Sequence, residues 1–309
     1  MKFFAFKPKS ASITVLCFFF ALSCTDTTKK TSSLLSNGEI RGEVVGIDLN
    51  ESTVVVKAMQ LGTDLEENFK NSSKDSLEFV VQPGDLSLLE NVKVFRGNLE
   101  ETFSSSLGKT FLLHKVWPDD RSERIRFNNV NRLLRRDTLS MGEDVIRTVG
   151  DQVPPFALYD QDGSILTSEY FDGSKTIMNF IFTRCSVADM CPASSLKMKE
   201  LQELVEKSKI PYVRFLSITL DAEFDSPGVL KTYARGYGLE ESNFKLGTAP
   251  KSVIDDLTRQ LGISSRKVAG EPLDHTMRTM IVNAKRQIVY QVPGKNWSVQ
   301  DFFSILQDG

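Results

Sequence analysis

The sequence predicts an α/β domain in the C-terminal half, preceded by a small all-β domain. Residues 150–309 alternate mainly apolar strand patterns, with almost no polar alternation, with amphipathic helix patterns. Residues 38–118 hold short β-branched strands separated by turns. The 309 residues are 40% hydrophobic and 25% charged, a globular composition long enough for about two domains. The formal net charge of −2 provides no basic field, so nucleic acid is not an expected partner.

The first 24 residues have the pattern of an export signal. A positively charged start is followed by an apolar core over 13–22, which is too short for a comfortable transmembrane helix. The core runs into Cys24 and a polar tether over 25–37. This resembles a bacterial lipoprotein signal, although Ala21 stands where leucine is usual. The resemblance implies a lipid at Cys24 and a membrane-anchored protein facing the periplasm; a cleaved signal peptide or an uncleaved anchor are the alternatives.

The segment 38–118 predicts a small barrel or sandwich. Residues 62–76 are polar and are interpreted as a loop, and Pro83-Gly84-Asp85 as a turn. The predicted strands are two within GEIRGEVVGIDLNESTVVVKAM around the turn 48–51, then 77–81, 91–97 and 109–116.

The opening strands of this domain and its Gly84-Asp85 turn resemble the periplasmic copper carriers of the CusF type, which are OB-like barrels. That family binds copper with one histidine, two methionines and a tryptophan. Only Met59 lies near a comparable strand end here. His114 and Trp117 sit in the last strand, where a half-exposed histidine and a packing tryptophan are the simpler interpretation. We therefore predict no metal site in the β domain.

Residues 119–149 carry mixed charge and are interpreted as a linker with one helical turn, its arginines forming a solvated face. The α/β domain then follows the order strand, helix, strand, helix, hairpin, helix, with one additional helix. This is the thioredoxin-like order. The predicted elements are a strand over 175–183, a helix over 192–209, a strand over 212–220, helices over 227–238 and 250–262, a hairpin of 280–283 with 287–292, and a helix over 298–306.

Two cysteines follow the first long strand of the α/β domain. The apolar run ends at Thr183, and Cys185 and Cys191 come next, with five residues between them. In a thioredoxin-like fold this is where the strand meets its helix, whose dipole favours thiolate. Thiolates are soft ligands suited to Cu(I), and they also form disulfides by exchange. A purely structural disulfide is a third possibility.

His275 is one of two histidines in the chain and lies just before the hairpin strand. In a thioredoxin-like fold, the loop before this strand faces the dithiol loop. Two thiolates and one imidazole would make a three-coordinate site for Cu(I), or a tetragonal site for Cu(II) with a fourth ligand. Asp274 either orients the imidazole or caps a turn. Met277 and Met280 are interpreted as core residues. Asp225 and Asp221 end the second central strand; helix capping is expected for Asp225, and the role of Asp221 stays open.

Four segments together resemble the Sco/SenC family of thioredoxin-like copper chaperones, over about 150–309: GDQVPPFALYDQDG, FIFTRCSVADMCP, SITLDAEFDSP and LDHTMRTMIVNAKRQIV. The resemblance implies that Cys185, Cys191 and His275 are copper ligands. It also implies delivery of copper to the copper-bearing subunit of cytochrome c oxidase or another cuproprotein, or reduction of that subunit's cysteines. The family has three residues between its cysteines, whereas this chain has five, and Ser186 replaces a proline. Copper geometry, affinity and reduction potential depend on that loop.

Three other functions fit parts of the pattern. A thiol-disulfide oxidoreductase without a metal would use the dithiol alone. In a binding or scaffold module, the two cysteines would form a disulfide that only holds the loop together. Peroxiredoxins share the Val-Pro-Pro-Phe opening, but they place a threonine three residues before the peroxidatic cysteine. Thr183 is only two residues before Cys185, which argues against peroxidase chemistry.

Overall fold

The computed structural model describes residues 35–142, 144–266 and 274–307, with the backbone alone described for residues 265, 266 and 274. The predicted export signal with Cys24, and most of the tether, lie outside the described residues. From Leu35 onward the chain folds as one unit. No helix in the described part of the chain is both long and apolar enough to cross a membrane.

The N-terminal region is a closed barrel of five strands with two short helices. Its elements are β1 (Glu39–Asp48), β2 (Thr53–Leu61), α1 (Thr63–Asn68), β3 (Leu77–Val81), α2 (Pro83–Leu89), β4 (Val94–Ser104) and β5 (Gly108–Pro118). The strand order is β1-β2-β3-β5-β4, with β1 pairing β4 to close the barrel and β3 parallel to β5. The predicted OB-like barrel is thus confirmed.

Two local predictions in the barrel are wrong. The polar segment 62–76 contains α1, whose Leu65 is buried. Pro83-Gly84-Asp85 opens α2 and is not a turn, because proline at the first helical position has the φ that a helix needs and loses no hydrogen bond there. The most deeply buried strand side chains of the barrel core are Ile40, Val54, Val56, Phe79, Phe95, Leu113 and Val116.

The predicted linker is wrong in a larger way, because it contains the 20-residue helix α3 (Arg121–Ser140). Asp120 caps it by accepting hydrogen bonds from the backbone N–H groups of Ser122 and Glu123, at 2.8 and 3.0 Å. The buried face is a narrow stripe of four residues, Phe127, Asn131, Leu134 and Thr138. The other faces carry arginines together with the exposed Ile125, Leu133 and Leu139, so the apolar period is too weak to be recognised in the sequence.

The C-terminal region is a seven-stranded sheet with flanking helices. Its elements are β6 (Ala157–Asp160), β7 (Ile165–Thr167), β8 (Lys175–Ile181), α4 (Cys191–Lys207), β9 (Val213–Thr219), α5 (Pro227–Tyr237), β10 (Phe244–Thr248), α6 (Lys251–Gln260), β11 (Ser265–Arg266), β12 (Asp274–His275), β13 (Arg278–Val282), β14 (Ile288–Pro293) and α7 (Val299–Gln307).

The sheet order is β14-β13-β8-β9-β10-β6-β7, with β8, β9 and β10 parallel and β13 antiparallel to β8. This confirms the thioredoxin-like prediction. β8 and β9 are buried almost throughout, as their mainly apolar runs without polar alternation predict. The sequence interpretation missed β10, because Lys245 and Gly247 interrupt its apolar pattern.

Candidate metal centre

The two cysteines lie at the carboxyl end of the central strand β8. Cys191 is the first residue of α4 and is 0% exposed, whereas Cys185 lies in the preceding loop and is half-buried. Both are free thiols. The parallel strands β8 and β9 end at the same edge of the sheet, so the residues that follow β9 lie beside this loop.

The five residues between the cysteines fold back on themselves. The Met190 N–H donates to the carbonyl of Val187 at 3.0 Å, and the Cys185 N–H donates to the carbonyl of Phe182 at 3.3 Å. Outside the loop, Lys295 forms an ion pair with Asp189. These contacts close the loop, so that residues 186–189 are exposed at the surface while the two sulfur atoms lie within 4.8 Å of each other.

His275 reaches the thiols from the other side. Its strand β12 pairs with β11, which fixes the backbone at this point. The imidazole Nδ1 lies 3.0 Å from the carbonyl of Thr276, and a carbonyl can only accept, so Nδ1 carries the proton. In the neutral ring the lone pair is therefore on Nε2, which lies 3.6 Å from the Cys191 sulfur. Phe182 packs edge-to-face on the imidazole, with ring centroids 5.3 Å apart.

The structure thus brings together Cys185, Cys191 and His275, whose ligand atoms all lie within 4.8 Å of one another. Metal bonds of about 2.3 Å to sulfur and about 2.0 Å to nitrogen, opening at about 110–120°, separate two ligand atoms by roughly 3.5–3.7 Å. The separation of 3.6 Å between the Cys191 sulfur and the imidazole nitrogen falls in that range. The donor set therefore fits a single soft metal ion.

Burial dominates the electrostatics of Cys191. It is the largest of the causes that raise the pKa of this thiol to about 12, and the neighbouring Cys185 contributes to the same rise. Burial of the charge thus opposes the α4 dipole, which by itself favours thiolate at Cys191. A metal ion that binds here has to displace the thiol proton, as soft metals do.

The two aspartates after β9 hold the residues that precede Cys185. Asp225 is fully buried, and its carboxylate accepts hydrogen bonds from the Thr183 N–H at 3.1 Å, from the Thr183 hydroxyl, and from the Thr219 hydroxyl at 2.5 Å. Asp221 forms an ion pair with Arg184. The expected capping role of Asp225 is wrong, since Ser226 is the N-cap residue of α5 and the Asp225 carboxylate accepts from Thr183 and Thr219 instead. Sequence reasoning missed this arrangement, because nothing local pairs Thr183 with Asp225.

The remaining candidates do not join this cluster. Met277 and Met280 are buried in the core, as expected. The side chain of Asp274 lies outside the described part of the structure. In the barrel, His114 lies 3.9 Å from Glu100, and Met59 is 49% exposed beside Arg41. Among the described residues, the cluster of the two cysteines and His275 is the single group of three or more His, Cys, Asp or Glu side chains close enough to share an ion.

Known proteins match the C-terminal region. An SCO2-like protein of Rickettsia conorii is 32% identical over 148 residues, which cover 46% of this chain and 67% of the relative. The crystal structure of a SCO1/SenC family lipoprotein from Bacillus anthracis covers 53% of this chain and 98% of its own, at 20% identity and a TM-score of 0.49. The copper-bound structure of Bradyrhizobium japonicum ScoI covers 52% of this chain and 99% of its own, at 21% identity and a TM-score of 0.44.

The sequence model of the SCO1/SenC family matches residues 146–307, a little more than half of the chain. The matched range spans both cysteines and His275. It begins within the segment that follows α3 and ends with α7, so the barrel lies outside it. This chain belongs to the SCO1/SenC family.

Proposed function

We propose that this protein is a copper metallochaperone of the cell envelope, which binds one copper ion through Cys185, Cys191 and His275. One observation carries the proposal: two thiols and an imidazole lone pair, supplied by three separate segments of the chain, converge within 4.8 Å. A structural disulfide requires no imidazole beside it. An oriented Nε2 lone pair facing a thiol is what a metal site requires.

The donor set favours copper over zinc. Thiolate ligands select Cu(I), zinc or iron–sulfur clusters. Structural zinc is almost always held by four ligands in a tetrahedron, and this group offers three among the described residues. Two thiolates and one imidazole satisfy three-coordinate Cu(I), and membership of the SCO1/SenC family supports the same metal.

For the wider role, the recipient we propose is the copper-bearing subunit of a cytochrome c oxidase or another cuproprotein. We also propose that the protein is held at the membrane by a lipid on Cys24 and faces the periplasm of a bacterium. The lipoprotein-like signal and the polar tether over 25–37 support the anchor. Family membership supports the recipient.

Anaerobic titration with Cu(I) tests the site. The reduced chain without its first 24 residues is compared as wild type, His275→Ala and the double variant Cys185→Ser/Cys191→Ser. We expect one tightly held copper in the wild type, weak binding in His275→Ala, and none in the double variant. His114→Ala, which changes the second histidine of the chain, is the matched control and should bind as the wild type does. Equal copper uptake by the wild type and the double variant would refute the proposal.

A thiol-disulfide oxidoreductase is the second candidate, because two free thiols with nearby sulfur atoms are suited to reversible oxidation. It predicts a Cys185–Cys191 disulfide that physiological dithiols reduce, with a potential unchanged by His275→Ala. Redox titration of the same variants distinguishes the two functions. Copper binding that depends on His275 supports the metallochaperone, and reversible oxidation without copper uptake supports the oxidoreductase.

A further inference from the structure

The barrel and the sheet domain meet in a backbone contact between α2 and α5. A Cβ atom on Gly84 would lie 1.9 Å from the carbonyl oxygen of Gly228, and a Cβ atom on Gly228 would lie 2.2 Å from the Asp85 carboxylate. Neither glycine has a positive φ, so the close approach is what requires glycine here. The Arg235 guanidinium adds a hydrogen bond to the Ser87 hydroxyl at 3.2 Å. The two regions are thus fitted together at the beginning of α5.

The same contact reaches the last barrel strand. Asp85, 1% exposed, accepts a hydrogen bond from the Val116 N–H of β5 at 3.3 Å. The preceding residue, Lys115, has a φ of 51°, a left-handed conformation that is uncommon for lysine and persists only where its surroundings hold it. Its ammonium group lies 5.9 Å from the centre of the Phe224 ring, within the range of a cation–π contact. A barrel side chain therefore touches the segment that follows β9.

Phe224 connects this contact to the dithiol loop. The Arg184 guanidinium lies 4.0 Å from the centre of the same ring, and it also pairs with Asp221. Next to Phe224, Asp225 holds Thr183 by two hydrogen bonds. Thr183 and Arg184 are the two residues immediately before Cys185. The barrel is therefore linked to the half-buried thiol through a continuous series of contacts.

Resting on the copper site proposed above, we propose that the barrel is a positioning element for Cys185. It supports the segment 221–225, and that segment fixes the two residues preceding the first thiol. Cys185 needs such support because of its position at the start of the loop between the cysteines. Cys191 is anchored in α4 and His275 in a strand pair, whereas Cys185 begins a five-residue excursion whose middle is exposed. Fixing Cys185 lowers the entropy lost when its sulfur joins an ion or a disulfide.

The test compares two identical substitutions in the barrel. Gly84→Ala puts a methyl group into the α2–α5 contact, whereas Gly46→Ala puts it where no atom lies within 4 Å. Two properties of the chain without its first 24 residues are measured: the rate of Cu(I) release to a chelator and the reduction potential of the Cys185–Cys191 pair. We expect Gly84→Ala to keep one copper but to release it about tenfold faster, with a shifted potential. Gly46→Ala should match the wild type.

A second pair of variants tests the positioning role of the barrel if Gly84→Ala does not fold. Phe224→Leu removes the ring that Lys115 and Arg184 share, and Phe103→Leu, at a side chain 79% exposed on the barrel, is its control. Faster release and a shifted potential in Phe224→Leu alone support the positioning role. Folded variants with wild-type release and potential overturn it. If the wild type binds no copper, the proposed function fails, and the reduction potential alone then decides the role of the barrel.

Discussion

The barrel and the sheet domain both contain side chains that bind soft metals, but they arrange them differently. In the barrel, His114 lies near Glu100, and Met59 lies at the surface beside Arg41. In the sheet domain, three donors from three segments meet within 4.8 Å. The difference shows that a metal site depends on where the chain folds its donors, and a count of donor residues does not predict it.

Substitution of Cys191 should have the largest effect on Cu(I) affinity, and it tests the contrast between the sheet domain and the barrel. Cys191→Ser keeps the shape of a fully buried side chain but removes the soft donor. We expect the Cu(I) affinity to fall by more than the ~100-fold that loss of an outer partner costs. Competition with a chelator of known affinity measures it, and Met59→Ala in the barrel is the control with unchanged affinity. A comparable loss in Met59→Ala would mean that the barrel takes part in binding.

Truncation in the barrel core tests whether the two regions unfold together. Phe95 is fully buried, so Phe95→Ala should lower the free energy of unfolding by about 3–5 kcal/mol. The chain has two tryptophans, Trp117 in β5 and Trp297 before α7, so variants that retain one or the other report on each region. Because α2 and α5 are in close contact, we expect coincident transitions. A barrel that melts first, with the Trp297 signal unchanged, would contradict this.

The buried Asp85 makes the same interface sensitive to pH. Burial raises the pKa of this carboxyl to about 7, against 3.8 as its ordinary value. A raised pKa in the folded state means that Asp85 costs nothing below about pH 4 and destabilises progressively as the pH rises through 7. Between pH 5 and 8 the wild type should lose about 2–3 kcal/mol more than Asp85→Asn. Denaturant unfolding at both pH values measures this difference, and parallel pH profiles would show that Asp85 is not responsible.

The smallest expected effect concerns the loop between the cysteines. Lys295→Met removes the exposed ion pair with Asp189, and exposed pairs contribute little to stability. The unfolding free energy should therefore stay as in the wild type, while alkylation of Cys185 becomes slightly faster than in the wild type and alkylation of Cys191 stays unchanged. Mass spectrometry of timed alkylation separates the two thiols. A stability loss comparable to that of Phe95→Ala would show that this ion pair supports more than the loop.

The sequence was informative where the signal is local. Mainly apolar runs identified β8 and β9. The start of α5 at Ser226-Pro227 was located correctly, but the Ser226 side chain forms no cap hydrogen bond. Gly238 has the positive φ that the end of such a helix requires. The three donors of the metal centre were also identified, because cysteine and histidine are rare in this chain. Their convergence is an observation of the structure, and their service as ligands stays a proposal.

The sequence was less informative where contacts between residues far apart in the chain determine the local structure. The helix α3 was missed because only a narrow stripe of its side chains is buried. One of them, Asn131, is polar and forms hydrogen bonds with the backbone of Ala157 at 2.9 and 3.0 Å. The bonds from Thr183 to Asp225, and the fit of Gly84 against Gly228, join residues that no local pattern relates. Such contacts require the folded backbone, so a single sequence does not predict them.

The two thiols differ in exposure, and this difference bears on the side from which another ligand could approach a bound ion. Cys191 and His275 are buried, whereas Cys185 is half-buried at the rim. Among the described residues, Cys185 is the most exposed of the three donors. If the proposed copper carrier holds an ion here, we expect an incoming thiol from a recipient to approach on the Cys185 side, so that handover begins by exchange of that one bond. Cys191 and His275 would then release the ion last. In a carrier built in this way, the ion would keep two shielded ligands until a recipient's ligand had replaced the outermost one.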